Sequence, residues 1–351
     1  MLSTCLGLGI PLQNSLMSKD QSEGPDSFYS LGPEQVLQAI ESVGLDCDGS
    51  QMALNSYENR VYQVGINGDK PLVAKFYRPN RWTDEAILEE HEFTLELSDL
   101  EVPVVPPLQF EGDTLFTFED YRFSLYPLRG GRAPDLENMS QLKQLGRFIG
   151  RIHALGGTTP FEHRPTLDVQ HFGDDSYHFL LESGFIPPEL KTAYETLAED
   201  LLDHIDHIFD SVKGADIRLH GDGHPGNIMW TDSGSQAGPH IVDFDDARMG
   251  PAVQDIWMFL TGSRSHRESA LAEFLEGYTP FFDFDLRQLA LIEGLRTLRM
   301  MHYAAWIGRR WDDPAFKYAF PWFNTQNYWE DHILSLKEQA SALNEEPLQW
   351  T

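Results

Sequence analysis

Apolar positions along the chain follow two rhythms. After Gly32-Pro33-Glu34-Gln35, the residues Val36, Leu37, Ile40 and Val43 recur at helical spacing and predict a helix that Gly44 stops. Residues 51–64 and 72–77 instead alternate apolar with polar on either side of Asn67-Gly68-Asp69, which predicts two strands joined by a hairpin. Residues 84–95 return to the helical period, with Ile87, Phe93 and Leu95 as the face that docks on the sheet. Two short strands are predicted at 114–118 and 121–126, and residues 127–132 with Gly130-Gly131 read as a linker. Beyond it the pattern is helical: Leu142, Leu145, Phe148, Ile149, Ile152 and Leu155 mark an amphipathic helix from Met139 to Gly156-Gly157, another helix follows, and 251–260 and 286–306 are heavily apolar helical runs. Strands first and helices afterward predict a two-lobed α+β fold, with a small mixed β-sheet N-lobe over 31–126 and a mainly helical C-lobe over 127–351. Residues 1–30 read as a mobile leader, in which Met17 is an alternative start.

Composition narrows the class of partner. The 351 residues, 41% apolar and 12% aromatic, suffice for substantial cores. Lys and Arg total 26 against 55 Asp and Glu, a net charge of −29 that repels nucleic acid and anionic membranes, and that equally reflects solubility or the salt habit of the source. Cys5 and Cys47 make no disulfide framework, which points to a reducing compartment. The apolar run 5–12 is short, broken by glycines and preceded by no basic residue, so a signal peptide is not expected, and no window approaches the roughly eighteen apolar residues of a membrane span. The expectation is a cytoplasmic monomer with neither nucleic acid nor membrane as partner.

The candidate chemistry lies in Leu219-His220-Gly221-Asp222-Gly223-His224-Pro225-Gly226-Asn227-Ile228-Met229, followed by Ile241-Val242-Asp243-Phe244-Asp245-Asp246. Phosphoryl transfer from ATP needs a carboxylate to orient the attacking hydroxyl and accept its proton, with an amide oxygen and a second carboxylate to hold Mg²⁺; Asp222, Asn227 and Asp243 can fill these roles. Gly221, Gly223 and Gly226 permit the tight loop that turns Asp222 and Asn227 toward one point. His220 and His224 also stand at a zinc-ligand spacing, but the glycines between them argue against the helix such a pair needs. A Gly-rich surface turn is the other bland reading. Lys75, within the strand at 72–77, either faces solvent or is met by Glu89 or Glu90 of the following helix; Glu90 is taken as its partner at the nucleotide. Asp245 and Asp246 are expected to cap or hydrogen-bond locally, Asp255 to brace the loop, and His220 to support it. Arg309-Arg310-Trp311 and Pro321-Trp322-Phe323 suit a substrate wall less well than core.

The His-Gly-Asp-x-x-x-x-Asn loop resembles that of the aminoglycoside phosphotransferase and choline kinase superfamily of protein-kinase-like enzymes. Residues 54–63, Lys75-Phe76-Tyr77-Arg78-Pro79 with Arg81-Trp82, residues 242–248 with 250–255, and Arg309-Arg310-Trp311 with residues 313–316 resemble, within it, the bacterial Ser/Thr protein kinases of stress response. The resemblance runs from about residue 30 to the C-terminus. It implies a protein-kinase-like fold with ATP between the lobes, Asp222 as proton acceptor, Asn227 and Asp243 as Mg²⁺ ligands, Lys75 on the α/β-phosphates and Ser56 over the nucleotide. It also implies a protein Ser or Thr as acceptor. A small alcohol such as an aminoglycoside, choline or homoserine is the alternative, since Glu276, Asp283, Asp285 and Asp312 suit a basic peptide and a cationic aminoalcohol alike. A nucleotide-gated binding module without turnover is the third reading. The sequence has no Gly-x-Gly-x-x-Gly, so phosphate contacts fall to backbone N–H groups and hydroxyls in 55–59. It also has no Ala-Pro-Glu segment, and control by activation-loop phosphorylation is not expected.

Overall fold

The computed structural model describes residues 31–212, 214–232, 234 and 237–350. The expected leader, with Cys5 and Met17, lies outside the described residues. Helix α1 (Pro33–Glu41) starts with proline where no N–H partner is needed, and the Gly32 N–H donates to the Gln35 side chain at 2.9 Å. Its buried Val36, Ala39 and Ile40 cover a sheet of five strands: β1 (Cys47–Ala53), β2 (Arg60–Ile66), β3 (Leu72–Phe76), β4 (Phe116–Phe118) and β5 (Tyr121–Pro127). Their order is β1-β2-β3-β5-β4, and each neighbouring pair is antiparallel.

The stretch 51–64, expected as one strand, is two. The chain reverses over 54–59, and β2 consequently pairs with both β1 and β3. Asn55, Ser56 and Asn59 are turn formers, but the apolar Leu54, Tyr57 and Val61 spread through the interval hide the break. Lys75 pairs with Val61 on one side and Ser124 on the other, so it sits in a central strand and is buried rather than solvated on an edge.

Helix α2 (Asp84–Asp99) begins at Thr83, whose hydroxyl accepts the Ala86 N–H at 3.2 Å. Its Phe93 was expected to face the sheet. Instead Phe93 and Leu97 join the core of the helical half with Leu145, Ile149 and Phe244. The Phe93 ring meets Phe161 and Phe244 edge to face, and the Arg218 guanidinium lies 4.5 Å from its centre. The helix is thus held by that core on one side and by His91, which meets Tyr77 and Thr114 at 2.8 Å, on the other, and this fixes the position of its buried Glu90.

The remaining helices are α3 (Met139–Gly156), α4 (Asp175–Glu182), α5 (Pro188–Ser211), α6 (Arg264–Tyr278), α7 (Ile292–Arg309), α8 (Pro314–Ala319) and α9 (Gln326–Ala342). Among them run two small ladders, β6 (Ile217–Leu219) with β9 (Arg248–Gly250) and β7 (Ile228–Thr231) with β8 (Gly238–Ile241). The run 251–260, expected as a helix, forms 3₁₀ turns at Ala252–Asp255 and Trp257–Phe259, and a third 3₁₀ turn, Leu286–Leu291, leads into α7. Helices α3 and α6 pack almost backbone to backbone, because a Cβ at Gly146 would strike the Phe274 carbonyl. Among the described residues no helix is long and apolar enough to cross a membrane.

Burial has a pH consequence. Helix α9 places His332 beside the rings of Tyr194 and Tyr328, and burial holds its pKa down at about 4. An unfolded histidine titrates near 6.5, so the unfolded chain takes up a proton that the folded one refuses, and stability is lost as pH falls from there through about 4. Between pH 6.5 and 4, His332→Phe should lose less unfolding free energy than the wild type, by up to roughly 3 kcal/mol. Urea unfolding at several pH values tests this, and parallel curves for the two proteins would refute it.

Candidate active site

Strand β6 delivers the chain to His220, and the loop that follows is held from behind by Asp255. That fully buried carboxylate accepts the N–H groups of His220 at 2.7 Å and Gly221 at 2.9 Å, and lies 3.3 Å from His153 Nε2. Gln254 Nε2 donates to the Gly221 carbonyl at 2.9 Å. Gly221 has φ of +83° and presses on the Asp246 carbonyl, so any side chain here is both strained and in collision. His220 packs against Phe244, ring centres 4.4 Å apart and tilted by 50°, and its Nε2 lies 2.9 Å from the Val242 carbonyl oxygen. The Val242 N–H donates to the Asn227 carbonyl at 3.0 Å. These bonds join the two motif segments, and Asp243 follows directly in the left-handed region, at φ 63° and ψ 65°. Aspartate tolerates that conformation better than most residues.

Asp222 and Asn227 come together as their spacing requires: Asn227 Nδ2 donates to the Asp222 carbonyl at 3.0 Å, which leaves the amide oxygen as its open acceptor. The Asp222 carboxylate is held on both sides. Arg299 Nη1 of α7 donates to Oδ1 at 2.6 Å, and His224 Nε2 lies 3.3 Å from Oδ2. Burial alone would raise its pKa, but the Arg299 charge and His224 keep it well below the usual carboxylate range, so the group is ionised at neutral pH.

Lys75 Nζ stands 3.2 Å from Asp243 Oδ1 and 2.9 Å from Asp245 Oδ1. Burial opposes its charge, yet Asp245 and Asp243 outweigh it and raise the pKa above the ordinary lysine value. Glu90, rather than Glu89, faces this region. Its carboxyl is pushed up to about 7 by burial, against the pull of Lys75 and Arg164, but the direct partners of Lys75 are the two aspartates. Glu89 instead accepts the N–H groups of Glu162 and His163. Asp245 does more than cap a turn: it also takes Asn59 Nδ2 at 3.0 Å and an ion pair from Arg81. Asp246 is paired with Arg81 at 2.9 Å and Arg248 at 2.8 Å.

The turn at 54–59 leaves Ser56 exposed at its tip, while its far end is anchored in the helical half. Glu58 receives Trp306 Nε1 and Arg310 Nη2, each at 2.7 Å, with Arg78 Nε 3.4 Å away. Arg78 in turn reaches Asp313 at 3.3 Å, and Tyr57 packs on Phe316 and Phe320. Trp311 packs on Phe185 and Phe323, as core. Sequence reading passed over Arg299, Glu58 and the role of Arg310. The only signal for them is the helical spacing of Arg299, Tyr303, Trp306 and Arg310 along one side of α7.

Asn227 and Asp243 supply hard oxygen donors, and Asp243 remains 56% exposed amid buried neighbours, so this pair suits a magnesium ion that keeps most of its waters. The zinc reading fits less well. Nε2 of His220 is engaged by a carbonyl and Nδ1 of His224 by the Gly226 N–H, and no group of three His, Cys, Asp or Glu able to hold a metal occurs among the described residues.

This geometry meets an independent finding: residues 51–292 match the phosphotransferase enzyme family, and the chain belongs to it. It is a phosphotransferase with a kinase-like α+β fold. In sequence it is 40% identical over 325 residues, 93% of this chain and 97% of the relative, to Stress response kinase A of Escherichia coli (strain K12). The same identity and coverage hold for Serine/threonine protein kinase RdoA of Salmonella typhimurium (strain LT2). Among solved structures, an amicoumacin kinase in complex with AMP-PNP, Ca²⁺ and Ami shares the fold, with a TM-score of 0.65 and 18% identity over 85% of this chain and 93% of that one.

Since Glu58 is only 13% exposed and shared by four cationic or N–H donors, Arg78, Arg81, Arg310 and Trp306, removing it strands Arg310 and Trp306. Glu58→Ala should lower the thermal midpoint by several degrees, on the order of 2 kcal/mol, and raise KM for ATP about tenfold. Calorimetry and initial rates measure both, and an unchanged KM would show that the anchor does not set the position of the turn.

Proposed function

We propose that the chain is an Mg²⁺-dependent ATP:protein serine/threonine kinase acting in stress response. ATP lies between an N-lobe over residues 31–126 and a C-lobe over 127–351. The observation that carries the reading is the convergence of Asp222, Asn227 and Asp243 with Lys75, from separate segments, on one braced loop. In this arrangement the Asp222 carboxylate orients the acceptor hydroxyl and takes its proton as the oxygen bonds to the γ-phosphorus and ADP leaves. Asn227 and Asp243 would hold Mg²⁺, which would supply charge neutralisation on the phosphates. Lys75 contacts the α/β-phosphates, Ser56 lies over the nucleotide, and Glu90 stands behind Lys75. The acceptor is a Ser or Thr of a protein, supported by the names of the two relatives. A small alcohol remains the rival acceptor, supported by the fold shared with the amicoumacin kinase.

Two variants separate binding from transfer. Asp222→Ala should still bind ATP while transfer falls by about 10²–10⁴-fold, and Lys75→Ala should raise KM for ATP as well as lower the rate. Chelation of Mg²⁺ should stop transfer in the wild type. Labelled ATP incubated with the purified chain, a cell extract, a generic protein and a panel of aminoalcohols identifies the acceptor. Acid-stable phosphoserine or phosphothreonine is expected. Label on one aminoalcohol alone would overturn the protein acceptor, and near-normal turnover by Asp222→Ala would overturn the site.

A further inference from the structure

The carboxylates around the candidate site are matched by cations. Lys75 serves Asp243 and Asp245, Arg81 serves Asp245 and Asp246, Arg248 serves Asp246, and Arg310 serves Glu58. In a chain of net charge −29 this site is locally balanced, so a cationic acceptor entering it meets no unpaired carboxylate among these. At Asp222 the balance is set by Arg299, whose side chain is 39% exposed. Its neighbours on α7 are engaged elsewhere, Arg296 by Glu293 and Arg310 by Glu58. Among the described residues Asp222 is the hydrogen-bond partner of Arg299, which leaves most of the five guanidinium donors open beside the reacting position. Tyr303 and Trp306, stacked at 5.7 Å, continue the same side of α7 toward Glu58.

We propose that Arg299 is a specificity-determining residue that selects an acceptor hydroxyl flanked by an anionic, hydrogen-bond-accepting group and disfavours one flanked by an ammonium. For a protein acceptor this means Ser or Thr beside acidic side chains. The proposal rests on Asp222 as the point where the hydroxyl docks. A hydroxyl bonded to Asp222 carries its own neighbours to within a few ångströms of the guanidinium. A carboxylate there gains a charge-assisted bond to a preorganised fork of donors, whereas an ammonium faces a like charge.

The test uses the full chain with Mg-ATP and two substrate pairs: peptides that differ only in Glu or Lys beside one Ser, and the small alcohols glycolate and ethanolamine. The wild type should favour the Glu peptide at least tenfold in kcat/KM, mainly through KM. Arg299→Lys should keep the direction of that preference at a lower rate, and Arg299→Met should abolish it. A wild-type preference for the Lys peptide overturns the proposal, as does a preference unchanged in Arg299→Met or an effect confined to KM for ATP. If only the alcohols are phosphorylated, the protein-acceptor reading fails and they decide the matter. Glycolate over ethanolamine then supports the role of Arg299, and the reverse overturns it. Labelling of neither pair overturns both readings.

Discussion

Asp245 is the interaction on which the arrangement hangs. It follows Asp243 in the second motif segment, yet its side-chain partners Asn59, Lys75 and Arg81 all come from the strand-rich half. Burying a carboxylate costs several kcal/mol even after relaxation, and that cost is recovered only when good geometry satisfies the charge. Here burial raises the carboxyl's pKa and Arg81 and Lys75 more than reverse it, so the charged form wins. The consequence is specificity of placement. Each of the three partners taken away leaves a buried charge short of a donor, so the two halves have one low-energy way to meet.

The same logic runs through the loop behind Asp222. Asp255 has no exposed surface and accepts two successive backbone N–H groups, which a flexible glycine-rich segment otherwise leaves to water. The glycines grant the loop its sharp turn and would also grant it many other shapes. Asp255, Gln254 and His220 remove that freedom by tying the backbone from three directions. Rigidity at this point matters chemically, because positioning supplies much of the advantage in phosphoryl transfer.

How much of this was legible in the sequence depended on range. The limits of α3, Met139 to Gly156, follow from apolar spacing and a glycine pair, and the observed helix keeps them. The convergence of Asp222 with Asn227 was readable because both lie within one short loop. The split of 51–64 into two strands was not, because apolar residues continue across a turn whose reversal is fixed by contacts from Glu58 to Trp306 and Arg310, some 250 residues away. Phe93 illustrates the same limit: the period shows that it is buried but not which of two cores receives it. Arg299 is the extreme case, an arginine in an ordinary amphipathic helix whose contact with Asp222 exists only once α7 lies against the loop that carries it.

The turn at 54–59, which contains no glycine, is held by distant contacts rather than left flexible. A flexible loop closes on phosphates by adapting its backbone and pays conformational entropy as it does so. This turn is instead fixed from its far end, by Glu58 on Trp306 and Arg310 and by Tyr57 on Phe316 and Phe320, while Asn59 joins it to Asp245. Ser56 is therefore presented from a pre-ordered support. Because α7 carries both Trp306, an anchor for Glu58, and the Arg299 that holds Asp222, one helix sets the distance between the turn and the Asp222 carboxylate. A displacement of α7 moves both at once, which couples the turn at 54–59 to the loop carrying Asp222 through rigid packing rather than through a mobile loop.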